Sequence, residues 1–330
     1  MADLKVKYMG FDLKNPIIAA SSSLTENLAG LKDLEKHGAS AVVLKSLFEE
    51  EIIMELEQSK VAMSSPGHIY PEIFDHFDFA DVEDTVTKYL FLIEDAKKSL
   101  SIPVIASINC VSANEWPIFA KKLEEAGADA LELNLFILPS DFERSSEENE
   151  NTYFEVISKV RKEIHIPIAL KVSYYFTNLG TMLQRLSQTG ISALVLFNRF
   201  FSPDFDIDNF RIIPANIYSN PTDLTISLRW IAIMAERVKC DLAATTGIHD
   251  GSAVIKQLLA GANAVQVASV LYKHGIHYIE QMLKDIQNWM EEHNFNSINE
   301  FRGKMSQAKS LNPASFERAQ FMRHFSGKIL

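Results

Sequence analysis

The sequence predicts an α/β fold: a (β/α)8 TIM barrel formed as a single domain over residues 1–330, with a C-terminal helical extension over about residues 276–330. Short apolar strands alternate eight times with stretches of helical periodicity, which is the pattern of a closed parallel barrel. Four of the helices end in Gly just before the next strand begins, as αL helix ends commonly do. The alternative is a doubly wound open sheet, which the eightfold alternation disfavours.

Each predicted strand is short and apolar on both faces, as is typical of a parallel strand covered by helices. In chain order the segments are NPIIAASSS from Asn15, HGASAVVLKS from His37, SIPVIASIN from Ser101, AGADALELN from Ala126, HIPIALKVS from His165, TGISALVLFN from Thr189, CDLAATTG from Cys240 and AGANAVQVAS from Ala260. Helical periodicity predicts helices at 28–37, 82–99, 115–126, 153–164, 182–189, 224–238 and 252–260, and a further amphipathic helix from Gly275.

The composition excludes several classes of function. A net charge of −11 and a pI near 5.4 disfavour nucleic acid or an anionic membrane as a partner. Cys110 and Cys240 form no disulfide framework and show no metal-ligand spacing, so no metal is expected. Neither a secretory leader nor a run long enough to cross a bilayer is recognisable. We therefore expect a cytoplasmic protein that acts on a small molecule.

Polar residues end most of the predicted strands, where a barrel places its chemistry. They are Ser21, Ser22 and Ser23 after the first strand, Lys45 and Ser46 after the second, Asn109, Asn134, Lys171 with Ser173, and Asn198 after the sixth. A buried Lys or Asn is costly without a partner, so several at one rim indicate a ligand. Any one of them alone could instead be a capping or snorkelling side chain.

The run from Ala243 to Ser269 predicts one βαβ unit with a phosphate grip. Thr246 and Gly247 follow its first strand and Ser269 follows its second, and the loops after strands seven and eight often bind phosphate in such barrels. An ordinary crossover with a Gly cap is the alternative.

Two connections are longer than a barrel requires, at about 47–81 and 199–222, and both are rich in aromatic residues and proline. They form either a lid over a pocket or a dimer contact, so a homodimer is one open possibility. The acidic loop at 138–152 is expected to be solvated.

Residues 5–305 resemble the dihydroorotate dehydrogenase family, chiefly its cytosolic class. The motifs that carry the resemblance are NPIIAASSS, VVLKS, LELN, ALKVS, GIHDGSAVIKQLLAGANAVQV and SINEFRGKM. It implies non-covalently bound FMN at the top of the barrel. By this resemblance the cofactor-binding residues are Ala20, Ser21, Ser22, Lys45, Asn109, Lys171, Thr246, Gly247, Ala268 and Ser269, the last four at the phosphate.

The resemblance also implies roles at the flavin ring and the substrate. Lys171 lies near the pyrimidine edge of the flavin, where an ammonium stabilises the negative charge that reduction creates. Lys45 lies between flavin and substrate, and Asn134 and Asn198 hydrogen-bond the substrate through amides that both donate and accept.

Two motifs depart from the family. Its catalytic base, Cys or Ser in a motif of the type N-L-S-C-P-N, is replaced by Ile137, which cannot take a proton. Ser140, Tyr174 and Tyr175 are weak substitutes. The substrate-binding stretch of the type N-x-x-G-x-x-N is replaced by residues 68–71, His-Ile-Tyr-Pro. The cofactor half of the site thus matches the family better than the substrate half.

The resemblance implies an FMN-dependent oxidoreductase that oxidises dihydroorotate or a related cyclic amide in pyrimidine metabolism. One alternative is a flavoprotein of the same fold with another substrate, such as a reduced pyrimidine base or an enone. Another is a non-catalytic barrel that keeps the fold and a phosphate ligand.

Overall fold

Eight parallel strands close into a barrel in the computed structural model, which describes residues 2–48, 50, 85–110, 116–199 and 202–317. The barrel strands are β1 (Ile17–Ala19), β2 (Val42–Val43, continued by Leu47–Phe48), β3 (Val104–Cys110), β4 (Ala130–Leu135), β5 (Ile168–Val172), β6 (Ala193–Leu196), β7 (Asp241–Thr245) and β8 (Ala264–Val267). Each strand pairs with the next, and β8 pairs with β1. The closed ring confirms the predicted (β/α)8 fold and excludes the open sheet. The extent of the single domain, residues 1–330, stays a prediction.

The second strand carries one residue more than its neighbour. Val43 pairs with Ile105 and Leu47 pairs with Ile108, so four steps along β2 match three along β3. Such a bulge changes which side chains face the barrel interior. Its position, just before the mouth, decides how β2 contributes to the site described below.

Helices cover the outside of the barrel. The described α-helices are Leu28–Lys36, Thr85–Ser99, Trp116–Glu125, Ser146–Glu163, Leu179–Ser187, Leu224–Met234, Gly251–Ala260, Ser269–His274 and Tyr278–Glu292. Short 3-10 turns lie at Ser23–Thr25, Pro221–Asp223, Ile298–Glu300 and Pro313–Phe316. None of the described helices is long and apolar enough to cross a membrane. The cytoplasmic location stays a prediction.

The helix after β4 begins earlier than its apolar periodicity indicates. It starts at Ser146 rather than near residue 153 because Ser145 and Glu148 form a capping box, with the Ser145 hydroxyl and the Glu148 carboxylate each bonded to the other residue's backbone N–H. The acidic residues of this stretch are therefore partly helical, and they are exposed as expected except for Glu150, which is half-buried beside Arg185.

Two antiparallel hairpins extend the barrel. The first, Val6–Tyr8 with Phe11–Leu13, packs at the amino end, where the Met9 N–H donates to Asp241 at 2.7 Å. The second, Ser202–Asp206 with Arg211–Ala215, follows β6 and is mostly exposed. It occupies the predicted connection at 199–222, whose role as lid or dimer contact stays a prediction.

The C-terminal extension packs on the barrel through one apolar face. Ile279, Met282, Ile286 and Met290 of the helix Tyr278–Glu292 are fully buried. The rest of the extension is described as far as residue 317, and residues 318–330 lie outside the described part. Most of the predicted connection at 47–81, including His68 to Pro71, also lies outside it.

Candidate functional site

A cavity of about 340 Å³ opens at the carboxyl ends of the barrel strands. Its lining comprises Ala20, Ser21, Ser46, Phe48, Asn109, Asn134, Phe136, Lys171, Phe197, Asn198, Arg199, Ile217, Ser219, Thr245, Thr246, Gly247, Ile248, Gln266, Val267, Ala268 and Ser269. We call this space the mouth cavity. Ten of the residues assigned to cofactor or substrate from the sequence lie together in it, as parallel-barrel geometry requires. Their individual roles stay predictions.

Two of the assigned residues lie outside this lining. Ser22 precedes the 3-10 turn Ser23–Thr25, and its carbonyl accepts a hydrogen bond from the Thr25 hydroxyl at 2.8 Å. The Lys45 ammonium donates to the Glu26 carboxylate at 2.8 Å on the surface. The bulge in β2 explains why Lys45 points away from the mouth cavity, because it places Ser46 rather than Lys45 in the lining.

The end of β7 makes a tight left-handed turn. Thr246 and Gly247 have φ values of 73° and 77°. A Cβ on Gly247 would come within 2.1 Å of the backbone nitrogen of Leu224, so only Gly fits against the start of the helix Leu224–Met234, which precedes β7. The Thr246 hydroxyl donates to the Phe197 carbonyl at 3.2 Å and ties this turn to the end of β6.

The end of β8 is tied to the same region. The Ser269 hydroxyl oxygen accepts a hydrogen bond from the Ser219 N–H at 3.0 Å, which leaves the hydroxyl proton available to a ligand. The Lys273 ammonium donates to the Ser219 carbonyl at 2.8 Å, and the Ser219 hydroxyl lies 2.9 Å from His249 Nε2. Burial, followed by the nearby Lys273 charge, lowers the pKa of His249. The imidazole is therefore held mainly neutral near pH 7.

Asn134 presents an unused acceptor. Its amide nitrogen lies 2.8 Å from the Ser46 hydroxyl and 3.2 Å from the Ser107 hydroxyl. Its Oδ1 is buried and has no hydrogen-bond partner within the described residues. Because an unpaired buried acceptor is costly, a ligand with an N–H or O–H donor would stabilise this arrangement.

A buried ionic network forms the floor of the mouth cavity. The Lys171 ammonium lies 3.4 Å from Glu132 Oε1 and 3.4 Å from Gln266 Oε1. Gln266 Nε2 donates to Glu132 Oε2 at 2.5 Å. Glu132 is fully buried and Lys171 is only 8% exposed. A carboxylate in a barrel core needs such partners.

The mouth cavity carries positive charge. Lys171 and Arg199 are the charged side chains among the described residues that line it, and that lining includes no carboxylate. The Arg199 guanidinium donates to the carbonyls of Asn216 and Ile217, with Asp223 at 3.6 Å behind it. Glu132 and Asp223 partly balance these two cations. The charged groups that line the cavity itself are nevertheless cationic, which favours an anionic ligand.

The loop after β4 presents apolar side chains at the mouth. Phe136 lines the mouth cavity, whereas Ile137 lines a second cavity of about 340 Å³ next to it, together with Tyr153, Tyr174 and Tyr175. Ser140 is exposed and lines neither.

Tyr174 does not suit the work of a base. Its ring packs edge-to-face on Phe197, and burial, followed by its hydrogen bond with Tyr175, raises its pKa. The phenol therefore stays protonated near neutral pH and suits hydrogen-bond donation better than proton abstraction.

Several residues at this site were not among those assigned from the sequence. Gln266, Arg199, Ser219 and Phe197 line the mouth cavity, and Glu132 supports its floor. Glu132 and Gln266 carry a detectable signal, because each is a polar residue inside an otherwise apolar strand. Arg199 and Ser219 carry no such signal.

Fold and site together define a (β/α)8 barrel whose mouth cavity is lined by two cationic side chains, several amides and hydroxyls, and a left-handed turn at the end of β7. A family model described as dihydroorotate dehydrogenase matches residues 80–290. The chain belongs to the dihydroorotate dehydrogenase family, and the resemblance noted from its motifs is confirmed.

Its relatives carry the name dihydroorotate dehydrogenase B (NAD(+)), catalytic subunit. The protein from Thermoplasma volcanium is 26% identical over 317 residues, which cover 92% of this chain and 98% of that protein. The Methanocaldococcus jannaschii protein is 26% identical, with coverage of 88% and 94%. The Pyrococcus furiosus protein is 27% identical, with coverage of 91% and 98%.

Proposed function

We propose that this protein binds FMN in the mouth cavity and oxidises dihydroorotate, or a related cyclic amide, at a CH–CH bond. The observation that carries the proposal is the combination, in one cavity, of positive charge without a carboxylate and the unpartnered acceptor of Asn134. An anionic ligand with amide donors satisfies both features.

The described residues fit FMN. The turn at Thr246 and Gly247 and the Ser269 hydroxyl, tied together through Ser219, would hold the phosphate. Lys171 and Asn109, with Ala20 and Ser21 at the end of β1, would contact the ring. A volume of about 340 Å³ is within the usual range for ligand cavities, although a ring and a substrate together would fill it tightly.

Bound FMN would supply the acceptor for a hydride from the substrate. The protein's own part begins with Lys171, whose ammonium at the cavity floor would stabilise negative charge that develops on the ring. Asn134 and Asn198 would orient the substrate, with Asn134 Oδ1 accepting from a ring N–H. Phe136 and Phe197 would exclude water from the reacting atoms.

Proton removal is the weakest part of the proposed reaction. Ile137 cannot accept a proton, Ser140 is exposed, and the raised pKa of Tyr174 keeps it neutral. A positioned base contributes about 10² to 10⁴ in rate, so dihydroorotate would be oxidised slowly.

Phe136 and Ile137 favour a second candidate. An apolar end of β4 suits an FMN enzyme of the same fold whose substrate gives or accepts a hydride without a protein base at that position. An enone fits this description, because it takes up a hydride and then a proton. A reduced pyrimidine base loses a proton as well as a hydride, so its proton would have to pass to a group other than residue 137.

The names of the relatives include the words catalytic subunit. We therefore propose that this chain also works with a second, different subunit. The exposed hairpin after β6, where Phe205 and Phe210 are 69% and 94% exposed, is a suitable contact surface. Stoichiometric co-purification of one defined second chain from the native source is expected, and a homodimer alone would contradict it.

A flavin spectrum followed by an anaerobic titration tests the proposal. The purified protein, reconstituted with FMN, should show bound-flavin absorbance, and dihydroorotate should bleach it with formation of orotate. Flavin that remains oxidised with dihydroorotate but is bleached by a reduced pyrimidine base supports the second candidate. Failure to bind FMN would contradict both.

A further inference from the structure

We propose that Glu132 and Gln266 are positioning residues that keep Lys171 charged and direct its ammonium into the mouth cavity. The proposal deepens the proposed function, since Lys171 would act on bound FMN. The pairing itself is a property of this chain and can be tested without the cofactor.

The first argument is burial. Glu132 is fully buried on β4, and its carboxylate would be costly there without compensation. The cation placed against it is Lys171 on β5, at 3.4 Å, and the Lys171 side chain is itself almost fully buried. Each charge offsets part of the free-energy cost of taking the other out of water. Loss of one partner would leave the other as an uncompensated buried charge.

The second argument is that the orientation of Gln266 is determined by its partners. A carboxylate only accepts hydrogen bonds and an ammonium only donates them. The amide nitrogen of Gln266 must therefore face Glu132, and its oxygen must face Lys171, as observed. Two ammonium protons of Lys171 are thus directed at acceptors in the floor, and the third is left for a ligand.

The third argument is the position of the network in the barrel. β8, which carries Gln266, lies on the opposite side of the ring from β4, which carries Glu132. The network therefore crosses the barrel interior, a space that such barrels normally fill with branched apolar side chains. Packing alone would be served better by apolar residues, because buried ion pairs are weak sources of stability. Lys171 and Gln266 also line the mouth cavity, which indicates a role toward its ligand.

The direct test is the pH dependence of amine labelling. Only a neutral amine reacts with acetic anhydride, so the labelling midpoint of Lys171, read by peptide mass spectrometry, reports the loss of its proton. E132Q should move this midpoint to lower pH, so that Lys171 labels at least about tenfold faster than in the wild type near pH 8. The matched control is E236Q, which removes the carboxylate from the exposed pair between Glu236 and Lys309 at 3.0 Å.

The shape of the profile separates a charge effect from a loosened fold. A loosened fold raises the labelling rate by the same factor at every pH, whereas loss of the counter-charge shifts the midpoint. An unshifted midpoint in E132Q, or an equal shift in E236Q, would overturn the proposal. If E132Q does not fold, Q266M is measured instead, and a smaller shift in the same direction is expected. An unchanged profile in Q266M would then overturn it.

The reduction potential of bound FMN tests the link to the cofactor. In E132Q, the ratio of the affinities for reduced and oxidised FMN should be about tenfold higher at a pH below the labelling midpoint of Lys171, where its ammonium is charged, than at a pH above it. This corresponds to a change of about 30 mV in the reduction potential of bound FMN. A midpoint shift without this change would show that Lys171 does not face the flavin. A wild-type protein that binds no FMN would contradict the proposed function, while the labelling profile would still decide the pairing.

Discussion

The two sides of the mouth cavity differ in how closely their residues fit the chemistry of the family. At the ends of β7 and β8, the left-handed turn at Thr246 and Gly247 and the Ser269 hydroxyl bonded to Ser219 form the proposed phosphate grip. At the end of β4, Phe136 and Ile137 stand where a proton acceptor is expected. We therefore expect that binding a cofactor and reacting with a particular substrate are separable properties of this fold.

This difference indicates where each property is determined. The grip depends on backbone conformation, which tolerates changes of side chain as long as Gly remains at the tightest position. The proposed substrate side would depend on the identity of a few side chains, so one apolar replacement would remove a proton-transfer step. Substitutions on the two sides should therefore affect cofactor binding and substrate reaction differently.

The largest effect is expected at Gly247. In G247A the new Cβ would meet the backbone of Leu224 at 2.1 Å, so the loop must move, and we expect a loss of about 3 kcal/mol in the free energy of unfolding together with a loss of FMN retention. Urea denaturation and flavin absorbance measure these losses.

Gly10 provides the matched control for Gly247. It has a similar φ of 87°, but a methyl group added there would meet nothing within 4 Å, so G10A should cost only about 1 kcal/mol through backbone strain. Equal losses in the two variants would show that strain, not the contact with Leu224, makes Gly247 necessary.

A smaller effect is expected at Asn134. N134A removes the unpartnered acceptor, and orotate should bind to the FMN-loaded protein about 10- to 100-fold more weakly while FMN affinity is retained. Isothermal calorimetry measures both affinities. Asn149 also has an unpartnered Oδ1 but lines the second cavity, so N149A should leave orotate binding unchanged. Weakening by both variants to the same extent would place the ligand elsewhere.

His249 should make the grip sensitive to acid. Because its pKa is lowered below the ordinary 6.5, the unfolded chain binds more protons there than the folded chain. Its contribution to stability is therefore complete above pH 6.5 and decreases as the pH falls below that value. In H249N, the free energy of unfolding should depend less steeply on pH in this range. An unchanged slope in denaturation experiments at several pH values would assign the acid sensitivity to other groups.

The smallest effect is expected at Ile137. I137C introduces the residue type of the family's base, but this side chain lines the second cavity rather than the mouth cavity. A base acts only within hydrogen-bond reach of the proton, so the rate of flavin reduction by dihydroorotate should stay within about threefold of the wild type. A gain of about 10² in stopped-flow experiments would show that the loop after β4 moves to bring residue 137 to the substrate.

Much of the fold could be predicted because its signals are local. Apolar strands and helical periodicity identify the barrel. The two strand ends of the run from Ala243 to Ser269, at residues 245–248 and 266–269, line the mouth cavity as the motif indicates. The hairpin after β6 was missed because Pro203 and Pro214 disfavour strands, and neither face of this hairpin is buried in the barrel. The start of the helix at Ser146 was missed because a capping box, not apolar spacing, determines it.

The site was harder to predict where partners come from distant strands. Lys171 was recognisable as a polar residue at a strand end, but its pairing with Glu132 and Gln266 depends on the register of three strands. The side of β2 on which Lys45 lies depends on one extra residue in the ladder. Neither feature is visible in local composition.

The hairpin at the amino end has a consequence for how the barrel interior exchanges with water. Tyr8 of this hairpin is fully buried. Burial, followed by the charge of Glu132, raises the pKa of its phenol, so a neutral aromatic side chain lies near the ionic network on the side of the amino-end hairpin. Lys171, the partner of Glu132, lines the mouth cavity at the carboxyl ends of the strands. A ligand bound over Lys171 would therefore cover the network from the mouth of the barrel. We expect the amide protons of the barrel strands to exchange with deuterium more slowly when that ligand is bound.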